Sequence, residues 1–552
     1  MSCPARASLL ALRSLLLSLL VALPASALVA APATADAEPP GLASATQGSR
    51  LLHVTGGGTS FAVRVPGRSV STFTWDPDDP GTVTHHLTSA GRTSLVSRVA
   101  AQDAPPAVTT APGGSLPVEV DPTGAHQTID GFGGALTHSA AALVDGSPHR
   151  AEILDALFGD DGARLSLVRL PVGASDLVAE PWESYADDPV RRLRSFTLAR
   201  DRAHAVPLLR AAQRRNPGLR LMATPWSAPA WLKRGGTFTG SCTGKQNMLK
   251  VRAYRTYARY LTRYTARYDA MGLPLWTLGL QNEPGLCRTS YPTLTMSAGQ
   301  QAPLATVLRR RLDAAGERDV AILAHDHNWY DDGATLADGP TTVPEQVLAR
   351  TDAVDAIGYH CYGSGGDPTP WATQTTLAPV HMTECSGFLD HADAGANLVH
   401  EVRHDLIGPL RHGARSAFYW SLALGDDGGP HVGGCATCRG MVGIDRAGGA
   451  WSPNEDLAYW SQLSRFVDPG AVRIGSTQPG SSVETVAFRN PDGRLVLVVL
   501  DAAATGDYRG HLVRDAADTS AHPASWLVGV DGRRRWVPVG AGGCRTAPPG
   551  AA

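Results

Sequence analysis

The middle of the chain alternates short apolar runs with segments of helical length, and this alternation constrains the fold more than any other feature. The apolar runs occupy residues 128–136, 163–172, 219–226, 273–282, 320–329, 354–362, 380–385 and 416–424. Apolar residues recur at helical spacing between runs, most clearly over 248–272 and 391–413. Eight buried strands that alternate with helices predict an α/β protein with a closed (β/α)8 (TIM) barrel. An open doubly wound sheet is the alternative, but Gly131-Phe132-Gly133-Gly134 lacks the last glycine of the phosphate-binding turn of that fold.

Strand-like sequence flanks this central region on both sides. Residues 51 to about 120 contain the short β-type runs LLHV, FAVRV and TFTW. After Phe466, the runs VETVAFRN (483–490) and RLVLVVLD (494–501) enclose a Pro-Asp-Gly turn, which is typical of a hairpin. We therefore expect both ends of the chain to form one β-sandwich-like side domain. The predicted boundaries are 36–50 for a linker, 51–122 and 467–552 for the two parts of the side domain, and 123–466 for the barrel.

The first residues have the pattern of a secretory signal. Arg6 and Arg13 precede an apolar run from Leu15 to Ala31, which Pro24 interrupts and small residues follow. A membrane anchor is the alternative, but Pro24 makes the run poor for spanning, and no other stretch approaches about 20 apolar residues. We therefore expect residues 1–35 to be a signal, and the protein to be secreted with no stable membrane insertion after the signal is removed.

The cysteines predict disulfides rather than zinc. Eight cysteines occur, and Cys3 would leave with the signal. Export permits disulfides, while the odd number that remains leaves at least one cysteine unpaired within the chain. Cys435-Ala-Thr-Cys438 has no second C-x-x-C to complete a zinc site, so a local disulfide is the better interpretation. Cys242 and Cys287 are a second candidate pair.

The charge pattern excludes some partners. The formal net charge is −2, so no overall field favours nucleic acid or an anionic membrane. Lysine occurs only as Lys233, Lys245 and Lys250, and arginine supplies nearly all the remaining positive charge. With the abundant alanine and glycine, this bias indicates genome composition; a functional arginine patch is the alternative.

Two glutamates follow apolar runs where a barrel places its reactive groups, at the carboxyl ends of the strands. The fourth run ends in Asn282-Glu283 and the seventh in Thr383-Glu384. Buried carboxylates at such places are costly unless they have a partner or a task. A pair of carboxyl groups can cleave a glycosidic bond, since one protonates the leaving oxygen and the other attacks the anomeric carbon. The sequence therefore predicts glycoside hydrolysis, with Glu283 as acid/base and Glu384 as nucleophile.

The two roles make demands on the surroundings. Glu283 requires a raised pKa, by burial or by the charge of Glu384, to act as an acid. Glu384 must stay ionised, which needs donors such as Tyr362 or Arg169. Asn282 is placed to bond a sugar 2-hydroxyl. The chemistry requires no cofactor and no metal, and a separation of about 5–5.5 Å between the carboxyl groups would retain configuration, whereas about 6.5–9.5 Å would invert it.

Several motifs together resemble glycoside hydrolase family 30, which includes the glucosylceramidases (acid β-glucosidases). They are DGFGGALT (130–137), VRLPVGASDL (168–177), TPWSAPAWLK (224–233), LQNEPG (280–285), YHCY (359–362), TEC (383–385) and YWSLAL with the following GGP (419–430). These motifs occur in the order found in the family and cover the chain from about 120 to 470. The resemblance implies a secreted retaining β-glycosidase, glucosylceramidase-like, with a β-linked glucoside or glucan as substrate.

The resemblance also implies roles for individual residues. Glu283 matches the acid/base and Glu384 the nucleophile. Residues that match the lining of the sugar subsite are Asp176, Trp226, Asn282 and Trp420. Residues that match those orienting the glutamates are Arg169, His360 and Tyr362. From the residues alone, the two tryptophans fit either exposed indoles that stack on a sugar or ordinary packing, Asp176 fits a helix cap as well as a sugar ligand, and His360 fits a satisfied core histidine.

Departures from the family leave the substrate open. His138 stands where the family usually has Asp, at the expected start of the first helix, and residues 428–440 differ from the lysosomal glucosylceramidases. Glucosylceramide, other β-glucosides and β-1,6-linked glucan all remain candidates. The competing interpretations are a metal hydrolase built on His325-Asp326-His327, for which further ligands are lacking, and an inactive carbohydrate-binding protein. A Ser-His-Asp hydrolase is disfavoured, because no G-x-S-x-G turn follows a strand.

Overall fold

Six strands precede the barrel in a computed structural model, which describes residues 49–91, 95–189, 193–329, 342–362, 377–480, 482–503, 524–528 and 534–538. They are β1 (Arg50–Gly56), β2 (Thr59–Val65), β3 (Ser69–Asp76), β4 (Asp79–Ala90), β5 (Leu95–Gln102) and β6 (Leu116–Asp121). The first three contain the runs LLHV, FAVRV and TFTW, so their prediction as strands is confirmed.

Seven of the eight predicted runs each contain one strand of a closed parallel barrel, and the eighth, 416–424, overlaps its last strand. The strands are β7 (Gly131–Ala135), β8 (Leu167–Pro171), β9 (Arg220–Thr224), β10 (Leu275–Gly279), β11 (Ala321–Asn328), β12 (Ala356–His360), β13 (Val380–Glu384) and, after the short β14 (Gly387–Phe388) outside the barrel, β15 (Ala414–Tyr419). The barrel closes where β15 pairs with β7. The (β/α)8 prediction is therefore confirmed, and the open sheet is excluded.

A glycine explains how closely two of these strands approach. A Cβ added at Gly133 would lie 1.9 Å from the carbonyl oxygen of Leu167 on the neighbouring strand β8. Only glycine has no side chain at this point, so β7 and β8 can lie side by side at the start of the barrel.

Helices surround the barrel. They are α1 (His138–Gly146), α2 (Arg150–Phe158), α3 (Ala199–Ala203), α4 (Ala205–Arg215), α5 (Tyr254–Asp269), α6 (Ala298–Ala315), α7 (Val343–Leu348), α8 (Ala394–Glu401), α9 (Gly408–Arg411) and α10 (Glu455–Ser464). A π-helical turn, Val402–Ile407, joins α8 to α9, and 3-10 turns occupy Ala230–Leu232 and Val251–Ala253. The predicted helices over 248–272 and 391–413 are present, although the second is interrupted by the π turn. Within the part of the chain that the structure describes, no helix has the length and apolarity needed to cross a membrane.

The remaining strands complete the side domain and the rim of the barrel. They are β16 (Ala423–Gly425), β17 (Cys438–Arg439), β18 (Val442–Ile444), β19 (Trp451–Pro453), β20 (Val472–Ser476), β21 (Val483–Arg489), β22 (Leu495–Asp501), β23 (Ala524–Val528) and β24 (Arg534–Pro538). A nine-stranded sheet runs in the order β2-β1-β6-β20-β21-β22-β3-β4-β5, so strands from both ends of the chain form it together, as predicted. The predicted hairpin is the pair of β21 and β22.

Strand β22 is buried on both faces and belongs to two cores. Leu495, Leu497 and Val499 pack in the core of the side domain. The alternate residues Val496 and Val498, with Leu500, pack in the core that includes the barrel and its helices. Because successive side chains of a strand point to opposite faces, one strand joins the side domain to the barrel.

Several predictions concern residues outside the described ranges. The signal over 1–35, all but the last two residues of the linker over 36–50, and Cys3 and Cys544 lie there. The predicted side-domain segment after Ala503 is described only in the hairpin of β23 and β24.

Candidate active site

The structure brings Glu283 and Glu384 together at the carboxyl end of the barrel. Glu384 is the last residue of β13, and Glu283 follows β10 by four residues. One carboxylate oxygen of each residue lies within 4.8 Å of the other and of a ring nitrogen of His360. The Glu283 and Glu384 side chains are only 13% and 8% exposed. The two carboxyl groups that the sequence singled out therefore share one small, largely buried site.

Backbone of unusual conformation carries the first of these residues. Glu283 has φ of 46°, and His325 and Asp326 in the second half of β11 have φ of 66° and 53°. The Glu283 N–H donates to the Asp326 carbonyl oxygen at 2.9 Å, which joins the two segments. Non-glycine residues rarely adopt left-handed conformations, and when they do they cluster at functional sites.

Arg169 lies beneath the pair and contacts groups from three other strand ends. Its Nη1 donates to Oε2 of Glu384 at 2.6 Å, while Nη2 donates to Oδ1 of Asn282 at 2.7 Å and to Oδ2 of Asp326 at 3.0 Å. The guanidinium carbon also lies 4.9 Å from the centre of the Trp226 ring. Arg169 is fully buried, so these charge-assisted bonds are little screened and fix the Glu384 carboxylate.

Tyr362 supplies a second donor to the same carboxylate. Its hydroxyl lies 3.2 Å from Oε1 of Glu384 and 3.3 Å from Oγ of Ser386. Burial, with the nearby charge of Glu384, raises the pKa of Tyr362 well above its usual value, so the phenol remains a neutral donor. The sequence-based prediction that Arg169 and Tyr362 contact Glu384 is confirmed.

His360 bridges both glutamates. Its Nδ1 lies 3.3 Å from Oε1 of Glu283 and 3.9 Å from Oε1 of Glu384. Burial works to lower the pKa of His360, but the charge of Glu384 and the hydrogen bonds to Asp326 and Glu283 raise it to about 9. The ring is therefore an imidazolium that donates from both nitrogens at neutral pH, rather than an isolated core histidine.

Asp326 is a site residue that the sequence reasoning missed, because it was considered only as part of a metal triplet. Its Oδ1 lies 3.3 Å from Nε2 of His360 and accepts from Oγ1 of Thr383 at 2.6 Å, while Oδ2 binds Arg169. Burial opposes ionisation, but the charge of Arg169 and the bond to His360 hold the pKa of Asp326 well below its usual value. Its place in the second half of β11, next to the strand that precedes Glu283, is the signal that could have identified it.

The triplet His325-Asp326-His327 does not converge on a metal. Among the described residues, His325 and His327 belong to neither of the two groups whose donor atoms lie close enough to hold an ion. The His325 Nε2 lies 3.1 Å from the Asn328 carbonyl oxygen. The Nδ1 of His327 instead lies 3.9 Å from Oε1 of Glu283, and burial lowers the pKa of His327 to about 4. The metal-hydrolase interpretation of the triplet therefore has no support in the geometry.

The protonation order of the two glutamates differs from the expectation. Burial works to raise the pKa of Glu283, but the hydrogen bond and charge of His360, with the charges of His327 and Arg169, lower it overall. Burial raises the pKa of Glu384, which His360 and Arg169 only partly oppose and the charge of Glu283 reinforces. The predicted raised pKa at Glu283 is thus wrong for the protein without substrate, because the sequence did not show that an imidazolium touches Glu283.

Asp176 lies at the edge of the site and does not cap a helix. Its Oδ2 accepts from the Cys435 N–H at 3.3 Å, and the next described helix, α3, begins only at Ala199. Burial and the charge of Glu384 raise the pKa of Asp176 to about 7. The helix-cap alternative is therefore wrong. Asp176 lies close enough to Glu384 for the charge of that residue to raise its pKa.

Trp226 and Trp420 stack on each other at the ends of β9 and β15. Their ring centres lie 4.9 Å apart with an angle of 23° between the planes. Each is only 3% exposed, so of the two alternatives the structure favours packing over exposed indoles. Asn282 is 4% exposed and accepts from Arg169. Contact of these three residues with a sugar stays a prediction.

Three disulfides occur among the described residues. Cys242–Cys287 and Cys435–Cys438 are confirmed predictions. The third, Cys361–Cys385, was not predicted, because its cysteines lie 24 residues apart at the ends of different strands. The parallel pairing of β12 with β13 is what brings them together. This disulfide follows His360 and Glu384 directly, so it joins the two strand ends that carry these residues.

The segment after β15 lies against Asp176. The Val432 N–H donates to the Asp176 carbonyl oxygen at 2.7 Å, and the Cys435 N–H donates to its side chain. Arg439 anchors the far end, with Nε 2.6 Å from Oδ2 of Asp456 and Nη2 3.1 Å from Oε1 of Glu401. Residues 428–440 thus form one wall of the site.

His138 contacts a loop, and the helix that it begins is capped by the preceding residue, Thr137. The Thr137 side chain caps α1 by accepting from the Ala140 N–H at 3.1 Å. The His138 Nδ1 accepts from the Ala179 N–H at 3.1 Å, and burial lowers the pKa of His138 to about 4. The His138 imidazole is therefore neutral, and its hydrogen bond with Ala179 holds the segment that follows Asp176 against the start of α1.

Comparison with known proteins places this geometry in context. Residues 129–397 match the model described as "Glycosyl hydrolase family 30 TIM-barrel domain", and residues 470–508 match "Glycosyl hydrolase family 30 beta sandwich domain". The chain is 31% identical over 408 residues to "Endo-1,6-beta-D-glucanase" of Neurospora crassa, which covers 70% of this chain and 81% of that protein. It is 27% identical over 451 residues to "Putative glucosylceramidase 1" of Caenorhabditis elegans, which covers 75% and 82%. A solved structure with the same fold, "The endo-beta1,6-glucanase BT3312", superposes with a TM-score of 0.64 at 22% identity and covers 78% of this chain and 99% of that one.

Proposed function

The chain belongs to glycosyl hydrolase family 30 and is a β-glycosidase, and from this premise we propose that it is an exported, retaining enzyme that cleaves β-1,6-linked glucan. Glu283 is the acid/base of this proposal and Glu384 the nucleophile. The observation that carries it is the separation of the two residues, since a carboxylate oxygen of each lies within 4.8 Å of the other. That separation suits a double displacement, for which about 5–5.5 Å is typical, and leaves too little room for the water of an inverting mechanism, which needs about 6.5–9.5 Å.

In the first step, Glu384 attacks the anomeric carbon and the glycosidic bond breaks. Arg169 and Tyr362 hold the attacking carboxylate in one orientation, at 2.6 Å and 3.2 Å from its two oxygens. The leaving oxygen needs a proton, and the His360–Glu283 pair holds one. A sugar that displaces water from Glu283 raises the pKa of this carboxyl, so the proton passes from Nδ1 of His360 through Glu283 to the leaving oxygen.

In the second step, water cleaves the glycosyl ester. Glu384 is now uncharged, which removes the negative charge that most raises the pKa of His360. Glu283 is ionised and takes a proton from the attacking water, acting as the base. Release of the sugar restores the Glu384 carboxylate, and the proton returns to the His360–Glu283 pair.

The substrate assignment rests on similarity. The fungal relatives at 31% and 29% identity carry the name endo-1,6-β-D-glucanase, while those named as glucosylceramidases are 26–27% identical. The wall formed by residues 428–440 lies against Asp176, where the pocket would meet the sugar. Glucosylceramide is the second candidate.

Export is supported by two independent features. The basic, apolar and small-residue pattern over 1–35 is that of a secretory signal. Three disulfides in the described structure suit an oxidising compartment. Culture of a cell expressing the full chain, followed by N-terminal sequencing of the protein in the medium, would test this part of the proposal.

The reaction is tested by following hydrolysis of β-1,6-glucan by proton NMR. We expect the β-anomer of the reducing end to accumulate first and then to mutarotate. Initial release of the α-anomer would mean inversion and would contradict the mechanism. Cleavage of glucosylceramide in detergent without cleavage of the glucan would show that glucosylceramide is the substrate. The proposed roles of the two glutamates would not change.

A further inference from the structure

Helix α5 carries a row of four arginines on its outer face. Arg255, Arg259, Arg263 and Arg267, here called the arginine row, are spaced four residues apart, so their side chains form one ridge along the helix. The opposite face holds the buried Tyr257, Tyr260, Tyr264 and Tyr268, which pack against the barrel. At a rise of about 1.5 Å per residue, the ridge is about 18 Å long with a cation every 6 Å or so.

The arginine row is not neutralised by the protein. Within the described ranges, none of its four members forms an ion pair with a carboxylate, whereas Arg200, Arg446 and Arg494 at other exposed places each do. Arg263 donates to the Leu193 carbonyl oxygen instead. Asp269 at the end of α5 lies close enough to Glu317, which follows α6, for its charge to add to burial in raising the pKa of Glu317.

A fifth arginine, Arg311 of α6, adds to the same charge. Burial, followed by the charges of Arg259 and Arg255, lowers the pKa of Arg311. Burial, followed by the charges of Arg267 and Arg259, likewise lowers the pKa of Arg263. Like charges at i and i+4 destabilise a helix, so this concentration of cations disfavours the isolated protein and is relieved by an anionic partner. The overall net charge of −2 makes the ridge a local feature rather than part of a basic protein.

We propose that the arginine row is a docking site for a linear acidic polysaccharide whose carboxylates pair with the arginines. Guanidinium groups bind carboxylates through two parallel hydrogen bonds, and a row of evenly spaced cations matches a polymer with regularly repeated anions. The arginines lie on the face of α5 opposite its buried tyrosines, whereas Glu384 ends strand β13, so docking on the row anchors the enzyme to a glycan matrix without covering the glutamates. The inference does not depend on which β-glycoside the enzyme cleaves.

Two other polyanions suit the ridge less well. Single-stranded nucleic acid is usually held by exposed aromatic side chains on which bases stack, but four of the five tyrosines of α5 are buried and Tyr254 is partly buried. A membrane-surface helix inserts its apolar face among lipids, but the apolar face of α5 is covered by the barrel. A polysaccharide requires only the line of cations that the helix presents.

The test uses the full chain and polygalacturonate as the probe, with binding measured by calorimetry at low and at physiological salt. The row variant is Arg255→Gln, Arg259→Gln and Arg267→Gln together, which spares Arg263 and its bond to the backbone. The control variant is Arg64→Gln, Arg446→Gln and Arg494→Gln, which removes the same charge from exposed positions elsewhere. Hydrolysis of an aryl β-glucoside confirms that both variants fold.

We expect the unaltered protein to bind polygalacturonate more weakly as salt rises, and the row variant to bind roughly tenfold more weakly than the control at low salt. An equal loss of affinity in both variants would mean that binding depends only on net charge, and it would overturn the proposal. Failure of the unaltered protein to bind polygalacturonate would also overturn it. Row-dependent binding to single-stranded DNA or to phosphatidylglycerol vesicles that is as tight as binding to polygalacturonate would also overturn it, because the ridge would then not select a glycan.

Discussion

Nη1 of Arg169 lies 2.6 Å from Oε2 of Glu384, and the arginine that makes this contact is wholly removed from solvent. A buried arginine without a partner would be strongly unfavourable. Loss of either member of the ion pair would therefore destabilise the other member and the residues that contact it. Arg169 also binds Asp326, which in turn contacts His360, and His360 contacts Glu283. The two proposed catalytic carboxyl groups are therefore connected through one continuous buried network.

Removal of the Glu384 side chain should abolish turnover in a way that a small anion can repair. In Glu384→Gly we expect kcat on an aryl β-glucoside to fall by about a thousandfold or more, because no nucleophile remains. Azide enters the space that the side chain leaves and attacks directly, so activity returns and the product is the α-glycosyl azide. Retained activity in Glu384→Gln without azide would contradict the assignment.

The matching change at Glu283 should give the opposite stereochemistry. In Glu283→Gly the nucleophile is intact and only proton transfer is lost, so substrates with good leaving groups still form the glycosyl ester. Azide then attacks that ester, and we expect the β-glycosyl azide. Measurement of the product anomer by NMR distinguishes the two roles, and the same anomer from both variants would refute the division of roles.

Replacement of Asp326 should act on catalysis through His360 and Arg169. Asp326→Asn keeps the size of the side chain but removes its charge, and the charge and hydrogen bond of Asp326 help to raise the pKa of His360 to about 9. We expect kcat to fall roughly a hundredfold with a small change in KM, since misplacement of reacting groups has effects of this order. The alkaline limb of the kcat/KM profile should also move to lower pH. The exposed Asp427→Asn is the control, and an unmoved alkaline limb would leave Asp326 with a structural role only.

Asp176 should make the stability of the protein depend on pH. Burial and the charge of Glu384 raise its pKa from 3.8 in the unfolded chain to about 7 in the folded protein. Protonated Asp176 is therefore favoured in the folded protein. Its stabilising effect on the free energy of unfolding is fully present below about pH 4 and falls by about 1.4 kcal/mol per pH unit as the pH rises to 7. Asp176→Asn does not ionise, so its Tm advantage over the unaltered protein should be small at pH 4, grow up to pH 7 and stay level above.

Differential scanning calorimetry from pH 4 to 8 checks this. Asp427→Asn, at an exposed site, should show a Tm difference that is constant above about pH 5, because the pKa of Asp427 is lowered rather than raised in the folded protein. An Asp176→Asn difference of the same size at every pH would show that Asp176 does not change its ionisation on folding.

The disulfide between Cys361 and Cys385 should contribute to both stability and activity. Opening a loop with a sequence separation of 24 removes about 3 kcal/mol of stability on the chain-entropy model. In Cys361→Ser with Cys385→Ser we expect a lower Tm and also a lower kcat, because the strand ends that carry His360 and Glu384 lose their cross-link. The control, Cys435→Ser with Cys438→Ser, opens a separation of only 3 and should lower the Tm much less. An unchanged kcat in the first variant would limit that disulfide to stability.

The strands of the barrel could be predicted because each lies within, or overlaps, a buried run long enough to be recognised alone. The same reasoning found Glu283 and Glu384, since a carboxyl group directly after such a run is conspicuous. It did not find Asp326, because His325 and His327 on either side suggested a metal ligand, and only the packing shows that Asp326 faces Arg169 and His360.

The remaining errors concern properties that depend on neighbours in space. The pKa of Glu283 is lowered by a contact with His360, from a strand 77 residues away, and no local pattern reports it. Trp226 and Trp420 have the sequence positions of exposed rings but bury each other. Strand register decides which side chains meet, and the sequence alone does not contain it.

Strand β22 gives alternate side chains to two cores, so neither core can open while the other stays intact. Local unfolding that exposes Val496 and Val498 on the barrel side would also expose Leu495 and Leu497 of the side-domain core. The side domain therefore does not behave as an appendage, and the two folded layers melt as one cooperative unit.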